Sequence, residues 1–295
     1  MSRNIMPSFS RLVRFVARDG QTYYGDAILP AGTTDISKAR QARIIQGDIF
    51  RTHRVTDEVT DIRLLLSPLA LSETGTLRCL GLNYSLHAKE SNMPEPKYPV
   101  LFYKPRTSSA GPSDPIPVSA MAQQHEGLDY ECELVIVIGK RGRDISESDA
   151  LNYLLGYAIG NDVSHRDWQI KLGGGQWSHG KGFDGWAPYG PGIVSPSVIP
   201  DPQKLRVWTK VNGELKQDES TADMIFDVRK AIALLSQGVT LMPGDLIFTG
   251  TPSGVGMGQK PKPIWLKDGD VVEVGLENVG TCTNKVEFAR TQAKL

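Results

Sequence analysis

Two glutamates stand one residue apart in LDYECELVIVIGK, residues 128–140, at the head of an aliphatic run. Leu134 to Ile138 are rich in valine and isoleucine, which reads as a buried strand. Alternate residues of a strand share a face about 7 Å apart, so Glu131 and Glu133 would project together from one sheet edge. Like charges held so close repel unless something positive lies between them. Asp162 ends a second short apolar run, YAIGNDV, and can converge on the same edge. Three carboxylates completed by water or substrate oxygens form a hard, oxygen-rich set suited to Mg²⁺, Mn²⁺ or Ca²⁺. No histidine pair or cysteine falls at ligand spacing nearby, which argues against zinc. An isolated pair of this kind is more often a solvated strand edge, so its neighbours matter.

Those neighbours carry further chemistry. In NYSLHAKE, residues 83–90, His87 and Glu90 are three apart and would share a helix face. A carboxylate beside an imidazole raises its basicity, the arrangement of a general base acting on water. GGGQWSHGK, residues 173–181, reads as a flexible glycine loop delivering Lys181.

The elements that would position these residues are mostly short strands. LFYK, ELVIVIG, YAIGNDV, RVWTKVNG, LIFTG, VVEVGLE and KVEFA are separated by Pro/Gly-rich loops, and only SESDALNYLLG and MIFDVRKAIALLSQG read as helices. The class is α+β and β-rich. RLVRFVA and QTYYGDAIL read as a hairpin around Asp19-Gly20, and a division follows: a small N-terminal α/β module over 1–72 and a main domain over 73–295. With 33 basic and 33 acidic side chains in 295 residues, there is no electrostatic pull toward nucleic acid or an anionic membrane. No apolar run approaches a membrane span. Three scattered cysteines suggest no disulfide framework, which fits a reducing, cytoplasmic setting. The arginine-bearing N-terminus weakly resembles a transit peptide, so a mitochondrial address stays open.

Taken in order, NYxxHxxE, FYKP, DYECELVIVIGK, NDVSHRDWQ, GGGQWSHGKGFDGWAPYGP, NG and GDLIFTGTPSGVG resemble the fumarylacetoacetate hydrolase superfamily over about residues 75–290. The resemblance implies a mixed β-sandwich roll behind a small N-terminal domain, a homodimer, and one Mg²⁺ or Mn²⁺ (Ca²⁺ as an alternative) on Glu131, Glu133 and Asp162. It implies a water-activating dyad in His87 and Glu90, and an enolate-stabilising lysine in Lys181. Arg166, Gln169 and Thr251 match substrate-binding positions, and Lys104 a lysine near the site. Gly182 departs from the family's usual serine after that lysine. The implied activity is metal-dependent hydrolysis of a C–C bond in a 1,3-diketo acid such as an acylpyruvate or fumarylacetoacetate. Oxaloacetate decarboxylation, or isomerase, hydratase or lyase chemistry on a related 2-oxo acid, is the alternative. A non-catalytic binding protein is disfavoured because no member of the charged set is missing. Tyr84, Trp177 and Trp186 suggest an apolar or planar substrate tail, His125 reads as a surface residue, and His165 has no assigned role.

Overall fold

The computed structural model describes residues 8–290; residues 1–7 of the arginine-bearing N-terminus, part of the leader reading, lie outside them. The hairpin forms as its sequence predicts. Arg11–Ala17 pairs antiparallel with Thr22–Ile28, and Gly20 takes the left-handed φ of 81° that the turn requires. Gln41–Gly47 and His53–Leu65 complete this group of strands.

These strands belong to a larger sheet. Arg11–Ala17 pairs on its other side with Ala187–Val194, placing Leu12 opposite Ile193. The sheet then runs through Leu154–Asn161, Cys132–Ile138, Leu246–Phe248, Leu77–Gly81 and Val100–Lys104, and the short Ser109–Ala110, parallel to Ala187–Val194, makes eleven strands in all. A second sheet of five strands, Glu214–Ser220, Arg206–Val211, Val271–Leu276, Gly280–Phe288 and Ile116–Val118, lies against it.

Burial on both faces explains the aliphatic run that opened the sequence reading. In Cys132–Ile138, Leu134 and Ile136 face one hydrophobic cluster with Val207, Val274 and Val286 of the second sheet. Val135 and Val137 face a different cluster with Leu77, Ala158 and Leu246. A strand covered on both sides has no polar face to show, so period-two alternation disappears. Each such side chain contributes about 1.5–3 kcal/mol by leaving water. Alternation re-emerges at the site end: Cys132 points into the first cluster, and Glu131 and Glu133 flank it.

One expected helix is reduced to a short turn that leads into a strand. Over SESDALNYLLG there is a single 3₁₀ turn, Ala150–Tyr153, after which Leu154–Asn161 joins the sheet. The second expected helix is present as Val228–Ser236, with Asp227 capping the Lys230 N–H at 2.8 Å.

Candidate active site

Strand register brings the three carboxylates together. Cys132–Ile138 and Leu154–Asn161 are antiparallel with Cys132 opposite Asn161, so the start of one strand adjoins the end of the other. Glu131, Glu133 and Asp162 therefore meet at that edge, with ligand oxygens within 4.8 Å of one another, and all three are buried. Leu246–Phe248 pairs on the opposite side of Cys132–Ile138, bringing the following turn to Glu133, where Gly250 donates its N–H to Oε2 at 2.7 Å. Gly250 has φ of 90°, and a Cβ there would meet Asn83 Cβ at 2.8 Å, so a glycine is required at this close approach.

The cations sit around the rim of this cluster. Lys181 Nζ donates to Glu131 Oε2 at 3.0 Å, to Asp162 Oδ2 at 2.9 Å and to Ser164 Oγ at 2.5 Å. The helical turn Trp177–Lys181 carries it, and the preceding glycines include Gly174 and Gly175 with positive φ. Arg166 Nη1 lies 2.6 Å from Glu131 Oε1 and 2.9 Å from Gln169 Oε1. Lys104 Nζ donates to the Trp186 carbonyl and stands 2.5 Å from Asp162 Oδ1. That last contact is a charge pair without hydrogen-bond alignment, and Asp162 Oδ1 accepts no hydrogen bond among the described residues.

Charge does not balance within this cluster. Asp129, Glu131, Glu133 and Asp162 are all buried, and among the described residues their ion pairs are with Lys104, Arg166 and Lys181. Burial would raise the Glu131 carboxyl, but Lys181 and Arg166 outweigh it and hold it at about 2. Burial would lower the Lys181 ammonium, and Asp162 and Glu131 reverse that and raise it. Glu133 has no such cation in contact: burial, then Asp162 and Glu131, push it well above the ordinary carboxylate range. A divalent cation held by Glu131, Glu133 and Asp162 would relieve that repulsion, so the donor set fits Mg²⁺ or Mn²⁺ chemically.

Beside the cluster lies a cavity of about 470 Å³ lined by Glu131, Arg166, Gln169, Lys181, Thr251 and His87 together with apolar side chains. His87 comes from the six-residue helix Ser85–Glu90, and its Nδ1 is 3.2 Å from Glu90 Oε2. Glu90 in turn accepts the Gly254 N–H at 3.2 Å, tying this helix to the TPSGVG loop. Arg166 Nη2 is buried without a hydrogen-bond partner among the described residues, an unfilled donor beside the cavity. All ten site residues read from the sequence thus fall in one neighbourhood: six line the cavity, while Glu90, Glu133, Asp162 and Lys104 stand behind them.

Of the three aromatic residues expected at a substrate tail, only Trp177 lines the cavity. Tyr84 and Trp186 are fully buried, and Trp186 donates its Nε1–H to the Pro117 carbonyl. His165 is also buried, its Nε2 facing the Ala122 and His125 carbonyls, which ties the 122–125 loop to the strand end. His125 itself is exposed.

Two buried residues emerge only in three dimensions. Asp129 accepts the N–H groups of Tyr130, Gly256 and Met257 at 2.8, 2.7 and 3.0 Å, and Arg166 Nε at 2.8 Å. Gln217 donates to Thr251 Oγ1 at 2.8 Å and to the Pro252 carbonyl, while its Oε1 accepts the Cys132 N–H. Both clamp the loop after Gly250 to the carboxylate strand. The sequence signal for Asp129 was its place two residues before Glu131, on the same face; for Gln217 there was none beyond a polar residue within a strand. Asp129→Asn turns one accepting oxygen into a donor that faces N–H groups. The expected result is a 10–100-fold fall in kcat/KM, carried mainly by KM because Arg166 loses its anchor. Steady-state kinetics beside a thermal melt checks this, and an unchanged KM would mean Glu131 and Gln169 hold Arg166 unaided.

A buried, cation-rimmed carboxylate trio opening from a β-rich core onto a cavity defines a metal-ready enzyme site on a two-sheet scaffold. Residues 76–287 match the C-terminal domain of the fumarylacetoacetate (FAA) hydrolase family, and the chain belongs to that family. It is similar to a "Fumarylacetoacetate hydrolase domain-containing protein 2 homolog" of Dictyostelium discoideum, 46% identical over 225 residues that make up 73% of this chain and 72% of the relative. It is similar, at 45% identity over 222 residues, to "Oxaloacetate tautomerase fahd2, mitochondrial" of Xenopus laevis, covering 75% of this chain and 68% of the relative. Among solved structures, a 2-hydroxyhepta-2,4-diene-1,7-dioate isomerase from Mycobacterium marinum matches with a TM-score of 0.79 at 37% identity, covering 96% of this chain and 100% of that one. Among the described residues, no helix is long and apolar enough to cross a membrane.

Proposed function

We propose that the chain is a divalent-metal-dependent enzyme that cleaves a C–C bond in a 1,3-diketo acid. The observation that carries the reading is that His87, paired with Glu90, lines the same cavity as Glu131, one of the three carboxylates of the buried cluster with Glu133 and Asp162. A bound Mg²⁺ or Mn²⁺ would supply Lewis-acid polarisation of the 2-oxo group and offset the excess of carboxylates. Arg166, with Nη2 unfilled, binds the substrate carboxylate, helped by Gln169 and Thr251.

With Glu90 accepting from Nδ1–H, His87 Nε2 is free to take a proton from water. Hydroxide adds to the distal carbonyl carbon. The bond between that carbon and the central methylene then breaks, and its electron pair moves into the 2-oxo system as an enolate. Lys181, kept cationic by Glu131 and Asp162, stabilises the developing negative charge. Such a donor is often worth a factor of about 10²–10³. Proton return from His87 to the enolate carbon releases a 2-oxo acid and a carboxylic acid.

A second reading draws on the tautomerase name of the Xenopus laevis relative. The same dyad can move a proton between carbon and oxygen of oxaloacetate with no water added, and the same electron sink serves decarboxylation. Loss of the enol absorbance of acetylpyruvate, in protein stripped of metal and resupplied with Mg²⁺, separates the readings when oxaloacetate is run in parallel. Metal-dependent acetylpyruvate cleavage supports the hydrolase. Enol–keto conversion or CO₂ release from oxaloacetate alone moves the assignment to the second.

A further inference from the structure

Beyond the head-group chemistry, the cavity has walls of one character. Leu80, Leu82, Phe102, Trp177, Ile170 and Met93 make up most of its remaining surface. Apart from Arg166 and Lys181, none of its lining residues is a lysine or arginine. Both of those are engaged by the carboxylate cluster, and Arg166 Nη2, a donor without a partner among the described residues, suits a single substrate carboxylate. A second carboxylate on the substrate would lie against apolar walls with no cation to meet it, which is strongly unfavourable.

Solvent-exposed apolar groups continue this surface at the rim. Ile170 is 52% exposed and Met93 48% exposed, although both line the cavity, as expected where an apolar ligand completes the burial. Deeper in, Phe102 packs on Trp177 with ring centroids 5.7 Å apart, and Trp177 lies so close to Gly81 that a Cβ there would collide with it. Between Gly81 and Asn83, Leu82 has φ of 52°, a left-handed conformation that is costly for a leucine. Asn83 fixes it, donating Nδ2–H to the Phe226 and Thr249 carbonyls and accepting the Phe226 N–H. An isobutyl side chain is thereby held at the cavity wall where glycine would have been the relaxed choice.

We propose that the substrate is a monoanionic 2-oxo acid whose far end is an uncharged apolar chain or ring, that diacids are discriminated against, and that Leu82 is a specificity-determining residue. This rests on the hydrolase reading given above, with its metal-and-Arg166 head group, and not on the oxaloacetate reading. Each methylene that enters the pocket is worth roughly three- to fourfold in affinity, so a six-carbon tail gains more than about tenfold over the head group alone.

The test uses the full chain with saturating Mg²⁺ and calorimetric binding of inert head-group mimics: oxalate, N-hexyl oxamate and N-(5-carboxypentyl) oxamate. The expected result is Mg²⁺-dependent oxalate binding, N-hexyl oxamate at least about tenfold tighter than its carboxylated counterpart, and quenching or a spectral shift of tryptophan fluorescence with the hexyl ligand. Turnover of hexanoylpyruvate against adipoylpyruvate should show the same order. Leu82→Arg, which keeps an L side chain at the same φ, should narrow or reverse that order while leaving oxalate binding intact. Leu82→Gln should weaken the hexyl ligand without strengthening the carboxylated one. Equal binding of the two oxamates, with oxalate still bound, overturns the apolar-tail proposal and leaves the head-group reading standing. No oxalate binding in the presence of Mg²⁺ overturns the head-group reading. If Leu82→Arg retains oxalate binding but leaves the order unchanged, Leu82 is not the determinant.

Discussion

Glu133→Gln is expected to abolish divalent-cation binding and to lower activity by at least about 10³-fold, while leaving the apo-protein as stable as the parent or more so. The direction follows from where Glu133 sits. It is buried, its only described hydrogen bond is from the Gly250 N–H, and Asp162 and Glu131 crowd it with like charge. Removing that charge relieves repulsion in the metal-free protein, and the glutamine oxygen can still accept from Gly250. In the metal-bound protein the same change removes one of three anionic donors. Thermal melting with and without Mg²⁺ reads both effects. At a hundredfold excess over Kd, a metal adds about 2.7 kcal/mol of stability to the parent, and the variant should lack that increment. A Mg²⁺-dependent rise in Tm equal to the parent's would remove Glu133 from the ligand set. A collapsed apo-protein would instead mean that the carboxylate is needed by the fold.

What could be read from the sequence, and what could not, divides by the range of the interactions. The paired glutamates were legible because strand alternation is a local rule, and Asp162 because it ends an apolar run as they begin one. Antiparallel pairing of Cys132 with Asn161 turned that guess into proximity. The stretch around Leu154 misled because short apolar runs fit helix and strand alike, and from Leu154 onward the choice was made by burial between two neighbouring strands. Continuity of the N-terminal strands with the main sheet rests on Leu12 facing Ile193, a partnership no local pattern announces. Asp129 and Gln217 escaped notice for the same reason. Their partners, Gly256, Met257, Thr251 and Pro252, are remote in sequence, and a buried polar side chain is identified as a clamp only when those partners are known.

Substituting His87 should divide the reactions this site can support. In His87→Ala, hydrolysis of an acylpyruvate is expected to fall by about 10²–10⁴-fold, the usual contribution of a positioned general base. Decarboxylation of oxaloacetate needs no proton from water before the bond breaks, so much of that rate should remain. Tautomerisation of oxaloacetate needs a proton shuttle and should fall with hydrolysis. Glu90→Gln supplies the graded comparison: it keeps a side-chain acceptor for His87 Nδ1–H but loses the negative charge that would stabilise the imidazolium formed when His87 takes the proton. Its loss should be smaller than that of His87→Ala and should shrink as pH rises and hydroxide replaces the base. Because Glu90 also receives the Gly254 N–H, a general loosening of the TPSGVG loop would raise KM for every substrate alike. A fall in kcat confined to hydrolysis and tautomerisation, at unchanged Mg²⁺ affinity, identifies proton transfer as the role of His87. Equal loss across all three reactions would reduce the pair to a brace that holds the helix Ser85–Glu90 against the cavity.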